Sequence, residues 1–149
     1  MTISIYNSSV GVFTQFLGSR SALLDRAAVH AEARKIDPSI LLNARLYPNM
    51  YNLTRQVGEA IRHAVLARGL LAGVEPRSLR PAEINDAGNR EVVFTFRNGA
   101  TRKFTGQSLL LTFSVPQFFF HVTMAYDILR HCGVDLVKKD FLGTPSQAL

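Results

Sequence analysis

The residues of this sequence best suited to bind a metal or move a proton are its histidines, His30, His63, His121 and His131. A helical metal site needs side chains that converge on one point. His121 and His131 are separated by roughly 15 Å along a helix, so they cannot bind the same ion. The residues one turn from His121 are Gln117 and Ala125, so the sequence contains no pair of histidines at helical spacing.

His121 differs from the other histidines because it lies among phenylalanines in the most apolar part of the sequence. A buried histidine is more often held by a hydrogen bond than used as a ligand, and this structural role is favoured here. Tyr126 and Asp127 follow in the same segment and could take part in acid–base chemistry. Adjacent helical residues point about 100° apart, so at most one of the two can share a face with His121.

Cysteine content and short motifs exclude several other chemistries. Cys132 is the only cysteine, which excludes an internal disulfide and a thiolate metal cluster within one chain. The sequence has no GxSxG elbow, no P-loop and no dinucleotide-binding glycine motif. Motifs therefore provide no route to a hydrolase, kinase or dehydrogenase assignment.

The chain has 149 residues and a formal net charge of +6, which fits one basic domain with a single core. A positive charge permits binding to nucleic acid, for which Arg97, Arg102 and Lys103 would be the contact residues. The basic residues are spread along the chain and are not interleaved with aromatic residues. Nucleic-acid binding is therefore the weakest functional hypothesis.

The N-terminal sequence MTISIYNSSVGVF lacks the basic flank, long apolar segment and cleavage site of a secretory signal. Polar residues and Pro116 interrupt the apolar segment of residues 109–125, which predicts a buried core helix and not a membrane span. These features predict a cytoplasmic protein that has no membrane partner.

Apolar residues at helical spacing predict a first helix over about residues 7–36 and a second over about residues 52–72, with a short helical turn between them. The arginines assigned to the solvent face of the first helix are Arg20, Arg26 and Arg34. On the second helix, Ile61 is assigned to the buried face, and the residues assigned to solvent are Arg55, Glu59, Arg62 and His63.

The rest of the chain is predicted to form a linker over residues 74–90, a β-hairpin over residues 91–105, final helices over about residues 106–132 and a surface tail over residues 133–149. Asn98-Gly99 predicts a type I′ turn in the hairpin. Pro116 cannot donate to the helical hydrogen-bond ladder, so it predicts a kink or a split in the final helical segment.

Two long segments resemble one family. They are HAEARKIDPSILLNARLYPNMYNLTRQV (residues 30–57) and FTGQSLLLTFSVPQFFFHVTMAYDILRHCGVDLVKKDFLG (residues 104–143). Both are similar to the DUF1993 family of uncharacterised proteins, within the DinB/YfiT-like superfamily. The resemblance implies a mainly α fold: an up-down-down-up helical bundle, here with one β-hairpin and with the third bundle helix shortened or missing between Gly73 and Arg90.

In that superfamily three histidines often hold a divalent metal, one from the second helix and two from the last. The resemblance places His121 at one of these positions, Gln117 at another and Gln56 approximately at the third. The amide oxygen of glutamine is a poor ligand for zinc or nickel compared with imidazole. We therefore expect no cofactor and no tightly bound metal, with His121 as a weak candidate ligand if a divalent metal does bind.

Several functional hypotheses follow from these residues. The first is a protein that binds a small molecule or associates with itself, with Gln56, Gln117, His121 and Tyr126 as candidate cleft residues. A shortened third helix would leave apolar surface that a homodimer would bury. The alternative is a divalent-metal-dependent hydrolase or thiol transferase of the DinB type.

Overall fold

The computed structural model describes residue 5 and residues 7–72, 86–96 and 98–145. The predicted fold class is confirmed, because the described chain is mainly helical with one antiparallel hairpin. The helices are α1 (Val12–Arg34), α2 (Pro38–Asn43), α3 (Leu53–Ala72), α4 (Val115–His131) and α5 (Lys138–Leu142). The strands are β1 (Glu91–Thr95) and β2 (Thr101–Thr105).

Helix α1 follows a π-helical segment, Asn7–Gly11, and ends where Lys35 adopts a left-handed backbone with φ of 54°. Asp37 then starts α2, because its side chain accepts a hydrogen bond from the Ser39 backbone N–H at 2.9 Å. Pro38 fits the first turn of α2, where a backbone N–H is not needed. The chain therefore turns between α1 and α2 at Lys35, just before Asp37 and Pro38.

Helix α3 packs chiefly against α4. Ala60, Ala64 and Ala67 recur at helical spacing on α3 and share a buried cluster with Phe118 and Val122 of α4. Side chains at a helix contact set the distance between the axes, and alanines permit a close approach. This packing fixes the position of the residue that precedes Val122, which is His121.

The chain before α4 is helical from Gly106, with a π-helical segment at Leu109–Ser114. There the Val115 N–H donates to the Leu110 carbonyl, five residues back. Pro116 follows this wider turn, in the first turn of α4, where its lack of an N–H is tolerated. Of the two predicted possibilities, a kink or a split at Pro116, the split does not occur, because a π-helical turn accommodates the proline without breaking the helix.

The hairpin pairs β1 with β2 from Glu91 opposite Thr105 to Thr95 opposite Thr101. The Phe96 N–H donates to the Ala100 carbonyl, and the Gly99 N–H donates to the Phe96 carbonyl. Gly99 has a φ of 83°, the left-handed conformation that glycine adopts without strain. This register leaves three residues between Phe96 and Ala100, so the predicted two-residue type I′ turn is wrong and a three-residue loop replaces it.

The C-terminal segment packs against α1 more tightly than a surface tail would. Val134 and Leu136 are buried in the core, and the Phe141 ring contacts Phe16 with centroids 5.5 Å apart. Ser19 of α1 donates from Oγ to the Phe141 carbonyl at 3.0 Å. Only the exposed positions of this segment agree with the prediction.

By length and composition, the helix Gly106–His131 could cross a membrane. The core helix of a soluble protein has the same character, and Phe118, Val122, Ile128 and Leu129 are buried inside this protein. This feature is therefore weak support for a membrane span.

Residues 74–85 of the predicted linker lie outside the described residues, as does most of the region between Gly73 and Arg90 where a third bundle helix was expected. The end of the linker, Asp86–Asn89, forms a 3₁₀ turn before β1.

Candidate metal and ligand site

One face of α3 carries polar residues that are buried. Glu59 is 8% exposed and His63 is 3% exposed, and Gln56 is buried on the same face. The prediction that Glu59 and His63 face solvent is therefore wrong. Ile61, predicted to be buried, is exposed instead.

Elements that are distant in sequence pack on this face of α3. Leu66 and Leu70 lie further along the face and pack against Val92 and Phe94 of β1. His63 contacts the rings of Phe113 and His121, with centroids 5.9 Å and 5.7 Å away. Positions 56, 59, 63, 66 and 70 alternate by three and four, which is the spacing of a buried helix face and the sequence signal that identifies Glu59 and His63.

His121 of α4 meets this face through a hydrogen bond with Gln56. Nδ1 of His121 lies 2.7 Å from Oε1 of Gln56, and Nε2 of Gln56 donates to the Tyr51 carbonyl at 3.3 Å. Because the Gln56 oxygen can only accept, Nδ1 of His121 carries the proton. The lone pair of His121 is then on Nε2.

Glu59, His63 and His121 form a buried cluster. One potential ligand atom from each of them lies within 4.8 Å of the other two. The His63 and His121 rings are stacked with centroids 5.7 Å apart and planes 17° apart. Arg62 borders the cluster, with Nε 2.6 Å from Oε2 of Glu59 and Nη2 3.1 Å from Nε2 of His63.

Burial keeps both imidazoles neutral. It lowers the pKa of His63 to about 4, and the adjacent Arg62 guanidinium adds to this effect. Burial also lowers the pKa of His121, against the opposing influence of the Glu59 carboxylate. Each ring therefore has one lone pair at pH 7, which is the form that binds a metal.

The cluster opens onto a cleft of about 520 Å³. The hairpin and the π-helical segment supply aromatic walls from Phe94, Phe96 and Phe113, whose rings contact one another. The polar residues that line the cleft are Tyr51, Glu59, Arg62, His63, Thr95, Asn98, Gln117 and His121. A polar floor beneath apolar walls is typical of a small-molecule site.

The predicted cleft residues have different places in the structure. His121 and Gln117 line the cleft, whereas Gln56 lies buried behind His121 and holds its ring. Tyr126 packs against Phe141 with centroids 5.5 Å apart and is not among the described residues that line the cleft. The assignment of Tyr126 to the cleft is therefore corrected, because five helical positions turn it about 140° from His121.

Arg20 of α1 is the other polar residue that spacing misassigned. It is 3% exposed, and within the described chain none of its guanidinium nitrogens has a hydrogen-bond partner. Burial lowers the pKa of Arg20 to about 10, so the group stays charged at pH 7. Arg20 lies seven positions from both Phe13 and Ala27, which are buried, so it occupies the core face of α1.

The residues of the cluster fit a divalent metal. Nδ1 of His63 is buried without a hydrogen-bond partner among the described residues, as expected for a ring held for another purpose. Zinc binds nitrogen and oxygen ligands at about 2.0–2.2 Å, so two ligands of one ion lie at most about 4.4 Å apart. The ligand atoms are therefore slightly further apart than in an occupied site, and Glu59, His63 and His121 would have to move closer together to hold one ion.

Comparisons with known proteins agree with the fold. The model of the family described as "Domain of unknown function (DUF1993)" matches residues 5–83 and 77–142. The crystal structure of a DinB family member protein from Shewanella denitrificans has a TM-score of 0.83 to this chain and 28% sequence identity. The alignment covers 97% of this chain and 95% of that one. No protein of curated function matches the sequence.

Proposed function

Because the chain belongs to the DUF1993 family and has a DinB-like fold, we propose its function from its own cleft: it binds a divalent transition metal through Glu59, His63 and His121 and holds a small molecule beside it. The observation that carries this proposal is the buried cluster of three potential ligand atoms within 4.8 Å of one another.

Two imidazoles and one carboxylate are the ligand set of several catalytic zinc sites, which keep a position open for water or substrate. When bound, the metal would supply Lewis acidity at the floor of the cleft. Nε2 of His121 carries the lone pair, because Nδ1–H is held by Gln56. Such a hydrogen bond to the second ring nitrogen orients a ligating histidine and fixes its tautomer.

The sequence-based expectation of no tight metal rested on the poor ligand properties of Gln56 and Gln117, and the present proposal departs from it. The proposed site uses His121 together with Glu59 and His63, which lie one and two turns beyond Gln56 on α3. Gln117 keeps a role in the cleft wall, where its amide can bind a polar group of the small molecule.

Calorimetric titration of metal-free protein tests the proposal, with Zn²⁺, Ni²⁺ and Mn²⁺ added separately. We expect about one Zn²⁺ per chain, and weaker binding of Mn²⁺, which suits nitrogen ligands less well. The variants His63→Gln and His121→Gln should both lose this binding. His131→Gln is the control, because His131 is exposed at the end of α4.

Absence of zinc binding by the wild-type protein, or equal binding by His63→Gln, would overturn the metal proposal.

The second candidate function is then binding of a small molecule without a metal, which the aromatic walls of Phe94, Phe96 and Phe113 favour. Ligand-dependent increases in melting temperature that persist in chelator would support it. If a small molecule raises the melting temperature only when metal is added, the result would support the first proposal. It would also favour the alternative function, a hydrolase or thiol transferase of the DinB type.

Self-association and a cytoplasmic location remain proposals of their own. Exposed Val65 on α3 lines an apolar groove that also includes Val10 and Leu17, and Ile61 is exposed one turn earlier on the same helix. A second copy could cover this surface. Light scattering after size exclusion should give twice the chain mass of 16.5 kDa. A mass equal to that of one chain would exclude a stable homodimer.

Nucleic-acid binding through the hairpin has less support. Lys103 pairs with Glu91 at 3.0 Å, and the Arg102 guanidinium lies over the Phe96 ring, so neither side chain is held out toward a phosphate. Arg97 lies outside the described residues.

A further inference from the structure

Arg62 binds two of the three proposed metal ligands. Its Nε lies 2.6 Å from Oε2 of Glu59, and its Nη2 lies 3.1 Å from Nε2 of His63. A guanidinium has no acceptor, so Nε2 of His63 must accept and Nδ1 must carry the proton. Nδ1 then has a buried N–H with no acceptor among the described residues.

The contact between Arg62 and His63 cannot coexist with a metal on His63, whichever nitrogen the metal binds. A neutral imidazole has one lone pair. If the metal binds Nε2, it takes the lone pair that now accepts from Arg62. If it binds Nδ1, the proton moves to Nε2, where it opposes the Arg62 N–H.

We infer that the Arg62 guanidinium occupies this site in the metal-free protein and competes with the metal for Glu59 and His63. It must leave before the metal binds. This inference rests on the proposed metal function. The Arg62 guanidinium neutralises the buried Glu59 carboxylate in the metal-free protein, which a buried charge requires. Arg62 also lines the open cleft, and its side chain is 40% exposed, so it can swing toward solvent.

The test compares the zinc affinity of wild-type protein with that of Arg62→Met, which keeps a long apolar stem and removes the guanidinium. Arg55→Met is the matched control. Arg55 also carries a positive charge near Glu59, at 3.8 Å, but its guanidinium lies over the Tyr51 ring. Among the described residues its hydrogen bonds and ion pairs do not include His63. Both variants lose one positive charge near the same carboxylate, so general electrostatics affects both of them.

We expect Arg62→Met to bind zinc at least about tenfold more tightly than wild type, and Arg55→Met to stay within about threefold of it. Equal or weaker binding by Arg62→Met, or an equal gain in both variants, would overturn the competition while leaving the metal site in place. If neither wild type nor Arg62→Met binds zinc, the metal proposal itself fails. Thermal unfolding confirms that each variant is folded before titration.

A second measurement does not depend on zinc. Nitrogen NMR of the His63 ring in metal-free wild-type protein should show the tautomer with the proton on Nδ1. In Arg62→Met the preference for this tautomer should weaken, because the donor to Nε2 is gone. A wild-type ring with its proton on Nε2 would contradict the contact on which the inference depends.

Discussion

Oε1 of Gln56 lies 2.7 Å from Nδ1 of His121, and this hydrogen bond joins α3 to α4 inside the protein. Both side chains are buried, so water does not readily replace a lost hydrogen bond between them. The glutamine at this position is therefore a support for the histidine ring and not a replacement ligand. Its amide accepts from one ring nitrogen and leaves the other available to the cleft.

Replacing Gln56 by methionine should test this support. Methionine has a similar volume but accepts weakly, so Nδ1–H of His121 would be left buried and unsatisfied at a cost of about 1–3 kcal/mol. If the metal proposal holds, zinc affinity should also fall about 10–100-fold. Urea unfolding and zinc titration measure the two effects.

Gln56→Glu is the control for this prediction, because a carboxylate still accepts from Nδ1 of His121. It should keep zinc affinity closer to the wild-type value than methionine does. Unchanged stability and unchanged zinc affinity in Gln56→Met would show that the hydrogen bond does not hold the ring.

The low pKa of His63 predicts that the metal-free protein loses stability in mild acid. The pKa is about 4 in the folded protein and about 6.5 in the unfolded chain, so between these values only the unfolded state binds the proton. The contribution of His63 to the free energy of unfolding is complete above pH 6.5 and is lost as the pH falls toward 4. The free energy of unfolding should decrease by at most about 1.4 kcal/mol per pH unit from this group.

Urea unfolding at several pH values measures this slope. The slope between pH 4 and pH 6.5 should be smaller in His63→Gln, whereas His131→Gln should resemble wild type. The lowered pKa of His121 acts in the same direction, so part of the slope should remain in His63→Gln. Equal slopes in wild type and His63→Gln would contradict the prediction.

Sequence spacing predicted the helices and the hairpin, because apolar residues repeat along α1 and α3 and alternate with polar residues along β1. It failed for side chains whose burial depends on a distant element. Glu59 and His63 were assigned to solvent because polar residues normally face it, yet the Phe113 and His121 rings, from much later in the chain, pack against His63. Pattern alone does not reveal that contact.

The resemblance identified His121 as a site residue but not its partners. It aligned Gln56 and Gln117 with ligand positions, whereas the structure assembles Glu59 and His63 around His121. The spacing of positions 56, 59, 63, 66 and 70 contained that information. The spacing alone does not show that this face is buried, because its burial depends on contacts such as those of Leu66 and Leu70 with β1.

The buried Arg20 should reduce stability. Its guanidinium is charged at pH 7 and has no hydrogen-bond partner among the described residues, so its loss of hydration is not compensated. Arg20→Met keeps a long unbranched side chain and removes the charge. We expect it to raise the free energy of unfolding by about 1–3 kcal/mol, measured by urea unfolding.

Arg26→Met is the matched control on the same helix. Arg26 is half exposed and pairs with Asp140 at 2.6 Å, and a surface pair of this kind is worth about 0–1 kcal/mol. A loss of stability in Arg20→Met comparable to that of a core truncation would show that the buried guanidinium is satisfied in solution.

Two neighbouring phenylalanines test the position of α4. Phe118 is 0% exposed and contacts Phe13 with ring centroids 4.8 Å apart, whereas Phe120 is 51% exposed. Phe118→Ala should cost about 3–5 kcal/mol, because it leaves a cavity between α1, α3 and α4. Phe120→Ala removes the same atoms from a side chain that is largely in water, so it should cost much less, about 1 kcal/mol or below. Guanidinium unfolding of both variants measures the difference, and equal losses would mean that α4 presents a different face to the core.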